Sequence, residues 1–274
     1  KHDRTHRPPV FAKSPAMSSC VIVGAGYTGG TLAHRLAAEG HDVVATRRRP
    51  ASTASASTIV LDLAQPPERS FPGAIVVCCA PPGADPALEI QHLVALGGRR
   101  IVYVSSTGVY APGGGAWVDE SWPLAPATTA GRARVAAEAA LPAGAIALRA
   151  AGIHGPGRGL VERIRAGTYR IIGEGTAHVS RIHVDDLVET IIRAGLATAT
   201  GAFNVADDDP APIGEVADAL AAHLGLPPPP RVAATSVDPE VAGMLTADRR
   251  IANGRIKAEL GVVLRYPSWR AALA

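Results

Sequence analysis

Cysteine and aromatic residues are scarce in this sequence, and their scarcity excludes several classes of protein. The three cysteines, Cys20, Cys78 and Cys79, lie in apolar segments, match no metal-binding spacing and cannot all pair. We therefore expect buried, reduced thiols, as in a cytoplasmic protein, and no metal site. Aromatic residues make up only 4% of the chain, so the core is predicted to consist mostly of Ala, Val, Leu and Ile. No apolar segment reaches the length of a transmembrane helix.

An excess of charge is also absent once the first residues are set aside. The formal charge is +3 at pH 7, but residues 1–16 hold four basic residues and one acidic residue, and the rest of the chain holds 23 of each. We therefore expect a protein that binds neither nucleic acid nor an anionic membrane. Residues 1–16 are polar and non-periodic, and we interpret them as a tag, a leader or a disordered extension.

The most informative pattern is an apolar segment, residues 20–23, that ends at a G-x-G-x-x-G motif and precedes a helical segment. In a strand–turn–helix unit, Gly24 permits the tight turn, Gly26 lets the backbone approach a pyrophosphate, and Gly29 lets the helix pack on the strand. Tyr27 and Thr28 then stand at the helix N-terminus, which favours an anion. The pattern predicts a dinucleotide site; the alternative is a glycine turn that binds no ligand.

The end of the second strand indicates which dinucleotide would bind. NAD-binding proteins usually carry an acidic residue about 20 residues after the glycines, bonded to the ribose 2′-hydroxyl. Here that place holds Thr46 and Arg47, followed by Arg48 and Arg49. Because guanidinium groups suit a 2′-phosphate, Arg47 and Arg48 favour NADP over NAD. The alternative is a solvated basic loop.

Strand and helix patterns alternate through the first half of the chain. Strands are expected over residues 20–23, 42–46, 58–61, 74–79, 100–105 and 145–148, and helices over 29–39, 86–96 and 131–141. This alternation predicts an α/β core, a doubly wound parallel sheet with helices on both faces, over residues 17–150. Beyond it, shorter elements rich in Gly and Pro predict a smaller C-terminal substrate lobe over residues 151–274, partly interleaved with the core.

Five segments occur in a characteristic order: residues 24–29, 61–63, 102–110, 148–157 and 181–187. Together they resemble the extended short-chain dehydrogenase/reductase superfamily, which includes nucleotide-sugar epimerases and dehydratases. Residues 253–268 resemble the C-terminal part of compact, atypical members. The resemblance implies a seven-stranded Rossmann-type sheet and a C-terminal substrate lobe.

The resemblance also implies roles for individual residues. Asp62 falls where the family's Asp bonds the adenine amino group, with Leu63 beside the ring. Ala80 and Pro81 follow the fourth strand, where the cofactor ribose passes. Ser106 stands at the position of the family's catalytic Ser or Thr.

The chain departs from the family at the catalytic pair, Tyr-x-x-x-Lys, in which the Lys holds the ribose and the Tyr transfers a proton. None of the five tyrosines has a lysine four residues later, and Lys257 is the only lysine after Met17. Alignment puts Ala130 at the Tyr position and Arg134 at the Lys position. Arg134 is expected to bond the ribose, but it cannot replace the phenol because a guanidinium stays protonated.

Other residues are candidates for the missing acid. Tyr110 either points into the cleft or packs beneath the loop that follows the Ser106 strand. His154 lies in the Gly-rich crossing loop, and a histidine titrates in a suitable range. The favoured alternative for His154 is a structural or surface role. Ser106 is the favoured active-site residue, and the alternative for it is a helix or turn cap.

Three functions remain open at this point. The leading hypothesis is an NADP-binding oxidoreductase-like protein that acts on a small polar metabolite as a monomer or homodimer. The second is a catalytically retired NADP-binding sensor or regulatory protein. The third is a non-redox isomerase or dehydratase that uses the cleft with the cofactor bound.

Overall fold

Short apolar segments form the strands, and amphipathic segments between them form the helices. The computed structural model describes residues 19–49 and 58–270, so the expected extension at residues 1–16 lies outside the described residues. In chain order the strands are β1 (Ser19–Val23), β2 (Asp42–Arg47), β3 (Thr58–Val60), β4 (Ile75–Cys78), β5 (Arg100–Ser106), β6 (Trp117–Val118), β7 (Ile146–Ala150), β8 (Gly152–His154), β9 (Ile171–Ile172), β10 (His178–Val179), β11 (Arg181–His183), β12 (Gly201–Val205), β13 (Ala211–Pro212), β14 (Arg231–Val232) and β15 (Arg250–Ile251).

Local signals in the sequence set several helix starts. The Asp85 side chain accepts a hydrogen bond from the Leu88 N–H at 3.0 Å and so caps α2. Thr128 caps α3 in the same way, through the Gly131 N–H at 3.1 Å. The helices are α1 (Tyr27–Ala38), α2 (Pro86–Ala95), α3 (Thr129–Ala139), α4 (Leu160–Arg165), α5 (Val184–Leu196), α6 (Ile213–His223), α7 (Pro239–Leu245) and α8 (Gly254–Leu260). Within the described ranges, none of them has the length and apolarity that a bilayer crossing requires.

Seven strands form one parallel sheet in the order β12-β7-β5-β4-β1-β2-β3. β4 and β7 are buried along their whole length, as expected for parallel strands covered on both faces. One face packs against α1, α5 and α8, and the other packs against α2 and α3. The predicted doubly wound, Rossmann-type α/β fold is therefore confirmed.

The later part of the chain contributes both to this sheet and to a second apolar cluster. β12 is the edge strand of the main sheet, and α5 and α8 lie in its core, so elements beyond residue 150 interleave with the first half. The second cluster joins α4, β9 and α6 around Tyr169 and Trp269. Two-stranded ribbons connect the two parts, including the parallel pair β8–β11. The division at residue 150 stays a prediction.

A buried ion pair holds α3 against the sheet. Arg149 of β7 meets Glu138 of α3 at 2.7 Å, and their side chains are 6% and 8% exposed. The same carboxylate accepts a hydrogen bond from the Ser105 hydroxyl at 2.5 Å. Arg149 also donates to the Tyr110 hydroxyl at 2.9 Å, which in turn donates to Asn204 Oδ1 at 2.6 Å. This network therefore ties α3, β5, β7 and β12 together.

We expect Arg149→Met to lower the free energy of unfolding by about 3–5 kcal/mol, because it leaves the Glu138 carboxylate buried without its cation. Urea denaturation followed by circular dichroism measures this change. Arg231→Met is the matched control, since it removes an exposed ion pair with Asp218 and should leave the unfolding midpoint unchanged. Equal midpoints for Arg149→Met and the parent would contradict a stabilising role for the buried pair.

Candidate active site

The turn between β1 and α1 has no room for side chains at its two outer glycines. Gly24 has φ +89°, and a Cβ there would lie 2.7 Å from the Ala80 backbone nitrogen. A Cβ on Gly29 would lie 2.3 Å from the Gly24 carbonyl oxygen. Glycine is therefore required at both positions, for a positive φ at the first and for close packing at both.

Gly26 differs from these two because it faces open space. No atom lies within 4 Å of a Cβ built there, and the residue is exposed. Gly26 is the N-cap of α1, and no side chain caps this helix end. The first N–H groups of α1, at Tyr27 and Thr28, therefore have no side-chain acceptor, and the positive end of the helix dipole faces the open side. This arrangement fits the pyrophosphate of a dinucleotide.

The end of β2 lies beside this turn, because Thr46 is in register with Val23. Thr46 is fully buried, and its hydroxyl accepts a long hydrogen bond from the Gly24 N–H at 3.4 Å. Arg47 and Arg48 are exposed, and neither side chain makes a hydrogen bond or ion pair with another described residue. Two cationic side chains are thus available to an anion at this edge.

The ends of β3 and β4 lie at the same edge of the sheet. Asp62 is exposed, and its Oδ1 accepts a hydrogen bond from the Ala64 N–H at 3.1 Å. Leu63 is buried, and its carbonyl is 2.7 Å from His92 Nδ1. The Ala80 N–H donates to the Val23 carbonyl at 3.2 Å, and Pro81 follows it as an exposed residue.

Ser106 and Arg134 stand at the next position along the edge. Ser106 ends β5, and its Oγ accepts a hydrogen bond from the Gly108 N–H at 3.0 Å, which leaves its hydroxyl hydrogen available. Arg134 is half-buried on α3, and its Nη1 donates to the Val104 carbonyl at 3.0 Å. The strand order therefore brings the sequence-predicted residues together in one row, from Asp62 through Arg47, Gly24 and Ala80 to Ser106.

No phenol stands at the place where the family's tyrosine is expected. Ala130 is exposed in the first turn of α3. The Glu240 carboxylate of α7 lies beside this turn and accepts hydrogen bonds from the Thr129 N–H at 2.7 and 2.9 Å. These hydrogen bonds are the main reason that the pKa of Glu240 is lowered, so this carboxylate is a poor proton donor.

Tyr110 packs beneath the loop, and this geometry corrects the interpretation in which it points into the cleft. Its side chain is fully buried, and its hydroxyl is engaged by Arg149 and Asn204. Burial raises the pKa of Tyr110 to about 12. We therefore do not propose Tyr110 as a proton donor.

His154 lies beside the cleft, but its charge differs from the sequence expectation. Burial, and after it the neighbouring His183 and Arg181, lower the pKa of His154 to about 4. The imidazole is therefore neutral at pH 7, so it can form hydrogen bonds but carries no acidic proton of the kind an imidazolium supplies.

Sequence reasoning missed a pocket of about 840 Å³ that opens next to His154. Its wall includes His183, whose Nδ1 accepts a hydrogen bond from the Asp185 N–H at 3.2 Å. The His183 ring stacks on Tyr266, with ring centroids 3.7 Å apart, and meets the His154 ring edge-on at 5.3 Å. The pairing of β8 with β11 creates this cluster, and no local pattern in the sequence indicates it.

Known proteins that are similar to this chain were found by sequence and by structure. No family model matches the chain. A Streptomyces sp protein described as a 3-diazoavenalumate denitrifying reductase is 34% identical over 206 residues, which cover 66% of this chain and 67% of that protein. A functionally unknown conserved protein from Silicibacter pomeroyi DSS has a structure that is 31% identical, with a TM-score of 0.77, over 93% of this chain and 96% of its own.

A more distant structure shows the same fold with a cofactor bound. The human epimerase family protein SDR39U1 (isoform2), with NADPH, has a TM-score of 0.77 at 20% identity, over 93% of this chain and 97% of its own. The motif order, the seven-stranded sheet and these relatives agree. The chain belongs to the extended short-chain dehydrogenase/reductase superfamily.

Proposed function

We propose that this protein is a reductase that uses NADP(H) and acts on an electron-poor small molecule held in the pocket beside His154. The observation that carries the proposal is the open, uncapped start of α1 at Gly26 next to Arg47 and Arg48, whose side chains have no partner among the described residues. The family and the reductase-named relative support an oxidoreductase with a nicotinamide cofactor. The preference for NADP over NAD and the class of acceptor are part of this proposal.

The row of residues along the sheet edge fits an extended dinucleotide. The turn from Gly24 to Thr28 would hold the pyrophosphate, and Arg47 and Arg48 would hold a 2′-phosphate. Asp62 and Leu63 would contact the adenine at one end of the row. Ala80, Pro81 and Arg134 would contact the sugars towards the other end, beside Ser106. The bound nicotinamide supplies hydride, and every other function falls to this chain's own residues.

The missing phenol limits which acceptor this site can reduce. Reduction of a ketone to an alcohol needs a proton on oxygen as well as hydride, and Ala130 provides no donor. A cationic acceptor such as a diazonium group needs hydride alone: the C–N bond breaks, a C–H bond results and N₂ leaves. The relative described as a denitrifying reductase of a diazo compound supports this class. Ser106 would orient the acceptor by a hydrogen bond.

The absent Tyr and Lys also favour a second candidate, a sensor that binds NADPH without turnover. One experiment separates the two: calorimetric titration with NADPH, followed by NADPH absorbance in the presence of aryl diazonium salts, conjugated enones and simple ketones. The proposed reductase should consume NADPH with the diazonium salts and release the denitrified arene. Binding without consumption on any acceptor would favour the sensor, and no binding would overturn both.

Arg47 and Arg48 lead to a prediction about the choice of cofactor. We expect NADP(H) to bind at least about tenfold tighter than NAD(H), equivalent to about 1.4 kcal/mol, because Arg47 and Arg48 are free to contact the 2′-phosphate. Arg47→Ala with Arg48→Ala should remove most of this preference and spare NAD(H) affinity in calorimetric titration. Arg69→Ala, which removes another exposed arginine, is the control. Equal affinities of the parent for both cofactors would rule the assignment out.

The turn between β1 and α1, here called the phosphate turn, can be tested at Gly26. Gly26→Val should lower NADPH affinity by at least about two orders of magnitude, because the side chain takes the space that the pyrophosphate needs. The fold should be kept, since φ at Gly26 is −82° and no atom crowds the new side chain. Gly30→Ala, one turn into α1, should bind like the parent. A folded Gly26→Val protein with unchanged affinity would place the cofactor elsewhere.

The absence of a phenol at Ala130 leads to a prediction about ketone reduction. Ala130→Tyr with Arg134→Lys should add a phenol whose pKa is lowered by the neighbouring ammonium, and slow reduction of generic ketones should follow. NADPH affinity should stay close to that of the parent, because either cation can contact the ribose. Ala130→Phe with Arg134→Lys has the same ring without the hydroxyl and should stay inactive. Rapid ketone reduction by the parent would show that another donor is present.

A further inference from the structure

The pocket beside His154 has an apolar body. It lies between the β8–β11 ribbon, α4, α6 and α7, and its volume of about 840 Å³ is in the range of small-molecule sites. Side chains of α6 and α7 and three aromatic rings form the apolar part of the wall. They include Ile213, Val216, Met244, Tyr169, Tyr266 and Trp269. Such a wall suits a flat, conjugated or aromatic molecule rather than a sugar.

One charged side chain in this wall is deeply buried. Arg181 of β11 is 8% exposed, and its Nη1 donates to the Val179 carbonyl at 3.2 Å. Its Nη2 is also buried and has no hydrogen-bond partner among the described residues. A buried donor without an acceptor is costly, so a ligand acceptor at this place would gain free energy that an exposed group does not offer.

Asp207 is the acidic residue that acts most strongly on Arg181, but it does not pair with it. The two side chains form no ion pair within 4 Å, and Asp207 Oδ2 also lacks a partner among the described residues. Burial raises the pKa of Asp207 to about 7, so much of its charge is lost at neutral pH. The positive charge of Arg181 is therefore only partly balanced by the protein.

A second unpartnered donor lies in the same wall. Trp269 is 2% exposed, and its Nε1–H has no acceptor among the described residues. The other charged residues of the wall are Arg158, Arg163 and Glu162, while both histidines have lowered pKa values and are neutral at pH 7. The pocket wall thus has a net positive charge and two free donors, and none of its buried unpartnered atoms is an acceptor.

We propose that this pocket binds its ligand through a carboxylate on Arg181, with the Trp269 indole as a second donor, and that the ligand is an aromatic or conjugated carboxylate. A guanidinium binds a carboxylate strongly, and both unpartnered donors belong to residues that line this pocket. Arg181 and His183 lie two residues apart on one face of β11, about 7 Å along the strand. The carboxylate would thus lie on the Arg181 side of the histidine pair, and the rest of the ligand would occupy the apolar part of the pocket. The assignment of this ligand as the hydride acceptor rests on the proposed function.

The test uses binding of unreactive probes to the intact protein, with and without NADPH, so it does not depend on turnover. The probes are cinnamate, cinnamamide and phenyl phosphate, measured by calorimetry and by the indole N–H signal of Trp269 in NMR spectra. We expect cinnamate to bind at least about tenfold tighter than cinnamamide, equivalent to about 1.4 kcal/mol, and to shift the Trp269 signal. Phenyl phosphate should bind more weakly than cinnamate.

Variants assign the difference to one side chain. Arg181→Met should abolish the preference for cinnamate over cinnamamide and leave NADPH affinity unchanged. Asp207→Asn should tighten cinnamate, because it removes the competing carboxylate. Arg163→Met, an exposed arginine of the same wall, is the matched control and should change the preference little. If Arg181→Met does not fold, the comparison of the two probes on the parent and on Asp207→Asn still decides.

The outcomes separate this proposal from the proposed function. Equal affinity for cinnamate and cinnamamide, tighter binding of phenyl phosphate, or a preference that survives Arg181→Met would overturn the carboxylate site, even if diazonium salts consume NADPH. A preference that depends on Arg181 in a protein that never oxidises NADPH would support the carboxylate site and overturn the reductase.

Discussion

The buried pair of Arg149 and Glu138 is the interaction on which the position of the candidate active site depends. Arg149 is the fourth of the five residues of β7, an otherwise apolar buried strand, where a cation is tolerated only with a close partner. Glu138 supplies that partner from α3 and also accepts from Ser105 of β5. The helix that carries Arg134 and the strand that ends at Ser106 are thereby fixed to each other through one carboxylate. The spacing of these two site residues follows from that contact.

The same network explains why a tyrosine near the site does not act as an acid. Arg149 has donors left after it meets Glu138, and the Tyr110 hydroxyl accepts one of them while it donates to Asn204. A phenol used in this way is part of the interior, and burial raises its pKa. The chain therefore uses a tyrosine to hold its sheet together, while Ala130, exposed in the first turn of α3, carries no ionisable group.

The sequence predicted those parts of the fold that are encoded locally. β1, β2 and β4 are short β-branched segments, and α1 begins at Tyr27, two residues before the expected start, because Gly26 already serves as its N-cap. β12 could not be predicted, since Asn204 interrupts its apolar pattern and only pairing with β7 makes it a strand. The two-stranded ribbons have two or three residues per strand, too few for a periodic signal.

The two parts of the site differ in predictability for the same reason. Each glycine of the phosphate turn has a backbone role that the motif itself specifies, so the geometry of this turn could be predicted from the sequence. The pocket depends on the pairing of β8 with β11, which sets Gly152 beside Arg181 although 28 residues separate them in the chain. Arg181 is a surface-type residue by its chemistry, and only the fold shows that it is buried at a pocket wall.

Contacts between the phosphate turn and the crossing loop connect these two parts. The Tyr27 hydroxyl donates to the Pro156 carbonyl at 3.1 Å, so the first residue of α1 touches the loop that forms one wall of the pocket. A Cβ on Gly155 would lie 2.7 Å from the Tyr27 hydroxyl and 3.2 Å from His183 Nε2, which explains why this loop position is a glycine. The loop thus packs between α1 and His183, which lines the pocket. The crossing loop therefore contacts both the start of α1 and the pocket wall, and the absence of a side chain at Gly155 allows this close approach.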